Sequence, residues 1–146
     1  MKVALERSAI AALLILSLLQ LVPVERGNPP VEQEIAAPPR VAGILHGSCY
    51  DCHSNQSAWP WYGYVAPFSW LVAHDVEEGR EHLNFSTWGR CDEEERAELL
   101  EELLEEVEHG EMPPWTYTLL HPGSALTAEE LATLRAWARD GYPEAN

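Results

Sequence analysis

Cys49-Tyr50-Asp51-Cys52-His53 is the stretch that decides the reading of this chain. It has the form C-x-x-C-H, the attachment sequence for a c-type haem. Two thiols one short turn apart can add to the two vinyl groups of a single haem and form thioethers. The adjacent imidazole then lies where a proximal iron ligand is needed. Other uses of the cysteine pair fit less well. Zinc would need two more Cys or His ligands at similar close spacing, and the remaining cysteine, Cys91, has no such neighbour. A thioredoxin-like pair belongs in a βαβ setting, and the flanks are not rich in strand-forming residues. A small protein built round one covalent haem c is most simply an electron carrier.

The N-terminus is consistent with export. Lys2 and Arg7 precede an apolar run from about Ala9 to Val24, a basic end followed by a hydrophobic segment. The run is slightly short for a membrane span, and Val22-Pro23-Val24-Glu25-Arg26 is a poor cleavage site. Residues 1–26 are therefore expected to be an uncleaved hydrophobic anchor helix, with a removed signal peptide as the alternative. The first case tethers the chain to the inner membrane facing the periplasm; the second leaves it soluble in the periplasm. Residues 27–40, with Pro29, Pro30, Pro38 and Pro39, read as a linker. Residues 41–146 form one small domain. A domain of this size buries a limited core unaided, and an internal haem would supply apolar surface.

The formal net charge is −15. Much of it lies between Asp92 and Glu111, where Arg96 is the only lysine or arginine. Such a surface argues against nucleic acid and anionic lipid head groups. It reads either as a solvated helix face or as a docking surface for a redox partner with a basic patch.

The domain is expected to be all-α. Val41, Ile44 and Leu45 suggest a helix leading into the motif. Trp59-Pro60-Trp61-Tyr62 reads as an aromatic loop. Pro67 opens a helix to about Leu83, with Phe68, Leu71, Val72, Val76 and Leu83 on its buried face. Asp92 and Glu95 resemble a capping box for the next helix, whose apolar stripe is Leu99, Leu100, Leu103, Leu104 and Val107, and Gly110 ends it. Thr127 and Glu130 cap a last helix with Leu131, Leu134 and Trp137 inward, closed by Gly141 and Pro143.

A haem held by His53 has a sixth position to fill or leave open. The candidates are Met112, His46, His74, His82, His109 and His121. Met112 is favoured, because Gly110-Glu111-Met112-Pro113-Pro114 is a stiff loop just past a helix end, and a polar, Pro-rich loop is an odd place for a core methionine. His74 is the chief rival, although it projects away from the apolar face of its own helix. Cys91 is left over as an odd thiol.

Larger blocks of sequence resemble the bacterial haem-binding domain family of cytochrome-c-like proteins. The resemblance is carried by Ser48 to Asn55, Pro60-Trp61-Tyr62, Val65-Ala66-Pro67, Ser69-Trp70-Leu71-Val72, Gly79-Arg80, Leu83-Asn84-Phe85-Ser86 and Trp88. It continues through Glu111-Met112-Pro113-Pro114, Tyr117, Leu120-His121-Pro122 and Leu126-Thr127. It implies a mono-haem domain on an exported, often membrane-tethered chain, with Cys49 and Cys52 attaching the haem and His53 as proximal ligand. The expected function is electron transfer rather than catalysis. The alternative is an open sixth site, as in a haem peroxidase-like enzyme or a haem-based sensor or accessory module.

Overall fold

The computed structural model describes residues 2–139. Among these the regular structure is helical: α1 (Lys2–Leu19), α2 (Pro39–Ser48), α3 (Tyr50–His53), α4 (Phe68–His82), α5 (Glu93–His109), α6 (Trp115–Leu120) and α7 (Ala128–Arg139). Two short 3₁₀ turns, Trp61–Tyr64 and Trp88–Arg90, lie in the connections. The only strand-like pairing among the described residues is an isolated parallel bridge between Gln33 and Thr87.

The helix ends form where local chemistry sets them. Asp92 accepts the Glu95 N–H at 3.0 Å while the Glu95 carboxylate accepts the Asp92 N–H at 2.9 Å, closing the capping box of α5. Glu93, Glu94 and Glu95 sit in the first turn, where the helix dipole favours them. Gly110 ends α5 with φ +76°, a left-handed conformation that glycine adopts without a Cβ clash. At α7, Glu130 Oε2 takes the Thr127 N–H at 2.8 Å, and the Thr127 hydroxyl oxygen accepts the Glu130 N–H at 3.2 Å. The expected closing residues Gly141 and Pro143 lie outside the described residues.

The core forms between α2, α5 and α7. Leu100, Leu103, Leu104 and Val107 of α5 are buried against Leu134 and Trp137 of α7 and Val41, Ile44 and Leu45 of α2. Each such aliphatic side chain contributes about 1.5–3 kcal/mol when removed from water. Phe85 and Trp88 are among the most completely buried side chains. Phe85 stacks on Tyr50 of α3 at 5.3 Å, so the attachment motif rests directly on this core.

Residues 27–37, expected to be a free linker, lie against the domain. Ile35 is buried and its N–H donates to Phe85 O at 2.9 Å, while Glu32 and Gln33 both donate to Ser86 O. Arg80 reaches back to Gly27 O and Asn28 Oδ1 at 2.9 and 2.7 Å. Proline removes donors but leaves the neighbouring amides and all the carbonyls free to pair.

The expected anchor is corrected. The N-terminal apolar run does form a helix, but Lys2, Glu6 and Arg7 occupy its first two turns. Its uncharged part, Ser8 to Leu19, spans roughly 18 Å at the α-helical rise, against a hydrocarbon core of roughly 30 Å. Among the described residues no helix is long and apolar enough to cross a membrane. The end of this segment is fastened to the domain, since the Gln20 amide exchanges hydrogen bonds with the Ala66 N–H and C=O at 3.0 and 3.2 Å.

Candidate functional site

Cys49 stands at the start of α3 as its N-cap, with non-helical backbone, and Cys52 lies on the single turn of α3 three residues on. His53 N–H donates to Cys49 O at 2.9 Å and Cys52 N–H to the same oxygen at 3.2 Å. Both cysteines line the same cleft. Burial pushes the Cys49 thiol up to about 12, with the neighbouring Cys52 adding to the shift. Cys52 is likewise pushed up to about 12, by burial first and then by Asp75 and Asp51.

His53 Nδ1 lies 2.9 Å from Gly79 O and 3.0 Å from Leu83 O. Both partners are carbonyls, which only accept, so Nδ1 carries the proton and Nε2 keeps its lone pair. A histidine fixed through its distal nitrogen in this way is oriented for a metal. Burial lowers its pKa more than the two carbonyls raise it, which favours the neutral ring that ligation requires.

The last turn of α4 can supply those carbonyls because residue 79 is glycine. A Cβ there would stand 2.9 Å from Cys52 O and 3.1 Å from both Cys52 C and Cβ. Alanine would gain about 0.5–1 kcal/mol of helix propensity. Backbone overlap of this kind costs about 1–3 kcal/mol or more, so the close approach selects glycine. The segment after the motif is fixed as tightly. Arg80 Nε donates to Ser54 O at 2.8 Å, Asn55 N–H to Ser86 Oγ at 2.9 Å, and Phe85 N–H to His53 O at 2.9 Å.

Cys49, Cys52, His53, Gly79, Leu83 and Phe85 line a cleft of about 920 Å³, near the top of the usual range of about 300–1,000 Å³ for small-molecule sites. Its walls come from α4 on one side and from α5, the Met112 loop and α6 on the other. All five residues read from sequence as the buried face of α4 line it, yet Phe68 and Leu71 are 57% and 53% exposed. Trp115, Leu119, Leu120 and Met112 are also exposed and also line it. An exposed apolar concentration of this kind marks a binding site.

The expected site residues Cys49, Cys52, His53 and Met112 all line this one cleft. Met112 is 37% exposed. Its N–H and that of Glu111 donate to Glu106 O at 3.2 and 3.0 Å, which fixes the loop beyond α5. Of the histidines, His46, His74 and His109 do not line the cleft, whereas His82 and His121 do. His121 is engaged at both nitrogens: Nδ1 is 2.9 Å from Tyr117 O, and Nε2 is 3.4 Å from the Tyr62 hydroxyl.

Sequence reasoning gave Asp51 and Tyr117 no role. Tyr117 donates its hydroxyl to Asp51 Oδ2 at 2.7 Å, and both residues line the cleft. Burial, and then Asp51, raise the Tyr117 pKa well above its ordinary value, so the hydroxyl stays a donor. Asp75, Glu78, Glu102, Glu105 and Glu106 also line the cleft, while no lysine or arginine does among the described residues.

The profile of one known family, described as haem-binding domain, matches residues 14–140. The chain belongs to the haem-binding domain family. No curated protein and no solved structure matches it. The cleft of this haem-binding domain fits its group: a largely apolar cavity, two thiols three residues apart that line it, and an imidazole whose Nε2 is unprotonated.

Proposed function

We propose that this haem-binding domain is an exported mono-haem c-type cytochrome that passes electrons between partner proteins. The single observation that carries the reading is the convergence of Cys49, Cys52, His53 and Met112 on one apolar cleft. In this reading Cys49 and Cys52 would hold the haem covalently, and the Nε2 of His53 and the thioether of Met112 would ligate its iron. Haem so held supplies a one-electron Fe(III)/Fe(II) couple. The chain contributes the rest. Gly79 and Leu83 orient His53 through its Nδ1, the apolar side chains of α4 and α6 that line the cleft would cover the ring, and the Met112 sulfur would favour the ferrous state and raise the potential.

The domain is proposed to work on the periplasmic side of the inner membrane, with the basic and apolar N-terminal segment directing export.

The redox partner is proposed to carry a basic patch, because the acids of α4 and α5 ring the cleft. Association should then be fastest at low salt and slow as ionic strength rises, since screening sets in over about 8–10 Å. The check is the second-order rate of electron exchange with one basic and one acidic redox protein of similar potential. The basic partner should react faster and lose its advantage with salt. Preference for the acidic one, or a rate flat across salt, would reduce the acidic rim to a solvated surface.

One observation favours a second reading, a peroxidase-like or gas-binding site open at the sixth position. Tyr62 and His121 place a protic pair in the cleft, and such groups can serve acid–base chemistry. A reduced holoprotein that binds carbon monoxide readily would favour it over the carrier.

A further inference from the structure

The helix that follows Met112 is tied to the attachment motif itself. Asp51 is one of the two residues between the paired cysteines. Its Oδ2 accepts the Tyr117 hydroxyl of α6 at 2.7 Å, and its Oδ1 accepts the Ala58 N–H at 3.0 Å. One carboxylate therefore joins three segments: α3, the loop after it, and α6. Tyr117 is braced on its other face by the ring of His121, stacked at 4.0 Å and 22°. That ring is fixed in turn by its own bond to Tyr117 O.

This tie matters because α6 has little else to hold it. It contains no buried residue, and Trp115, Leu119 and Leu120 are exposed. Met112 is separated from α6 only by Pro113 and Pro114, so a shift of α6 is carried directly into the Met112 loop. A hydroxyl bound to a carboxylate is a charge-assisted hydrogen bond, stronger than a neutral one.

We propose that Asp51 and Tyr117 form a clasp that holds the Met112 loop over the cleft, so that the motif attaching the haem also sets how tightly the sixth ligand is kept. This rests on the reading of Met112 as that ligand. Asp51 and Tyr117 are positioning residues: the clasp controls how often the loop opens, not what bonds the iron.

The experiment uses the ferric holoprotein and stopped-flow mixing with excess imidazole, at concentrations where displacement of the methionine no longer depends on imidazole and reports loop opening. Tyr117→Phe keeps the ring and its stacking on His121 and removes only the donor. Opening should become about tenfold faster, the change that about 1.4 kcal/mol represents, while the sulfur-to-iron band at rest persists. Asp51→Asn keeps an acceptor but loses its charge and should fall between wild type and Tyr117→Phe. A lowered unfolding midpoint with an unchanged opening rate would mean ordinary packing and overturn the clasp. An unchanged rate in Asp51→Asn would do the same should Tyr117→Phe fail to yield holoprotein. Absence of the sulfur-to-iron band from wild type would instead overturn the Met112 assignment, and the clasp with it.

Discussion

Met112→Ala should leave the haem attached but convert the holoprotein from a six-coordinate low-spin form to a high-spin or water-ligated one. The sulfur-to-iron band in the red should vanish. The midpoint potential should fall by roughly 0.1 V or more, a fraction of the roughly 0.8 V over which axial ligands set haem potentials. The physical ground is the loss of a soft thioether from the cleft. His74 does not line the cleft, and His121 is engaged at both nitrogens. His74→Ala should leave spectrum and potential unchanged. Optical spectra with redox titration of both variants decide the matter. Loss of the band in His74→Ala but not in Met112→Ala would reverse the assignment.

Phe85→Ala should destabilise the folded domain by about 3–5 kcal/mol, the usual cost of emptying a buried aromatic site. That is a large share of the roughly 5–15 kcal/mol by which whole domains are stable. Phe85 is fully buried, stacks on Tyr50 at 5.3 Å and stands 6.3 Å from the His53 ring. Its N–H donates to His53 O. The cavity would open directly beneath the attachment motif. Denaturant unfolding of wild type and variant holoprotein measures the difference by the shift in midpoint. A loss under about 1 kcal/mol would mean that the site collapses and that the core beneath the motif is far softer than its burial implies.

What was legible in the sequence was local. The Asp92–Glu95 and Thr127–Glu130 capping boxes, the α5 stripe and the stop at Gly110 each depend on residues within a few positions, and each formed as read. The face of α4 was legible as apolar but not as to what covers it. Periodicity finds a stripe, and here the whole stripe lines the cleft, Val76 buried within it while Phe68 and Leu71 stay exposed. Gly79, Asp51 and Tyr117 were opaque because each acts on a segment far along the chain. A single glycine in a helix does not announce which backbone will approach it. The prolines of residues 27–40 read as a spacer and did not show that the amides between them pair with Phe85 and Ser86. The hydrophobicity of the N-terminal run likewise did not reveal that the charges of Lys2, Glu6 and Arg7 fall inside the helix.

The most direct test is a thiol count on the purified holoprotein, denatured and reduced, after acid–acetone extraction. The chain has three cysteines. If Cys49 and Cys52 are both thioether-bonded, only Cys91 should react with a thiol reagent, and the haem should stay with the polypeptide. Three reactive thiols, with the haem in the acetone, would contradict covalent attachment through this motif.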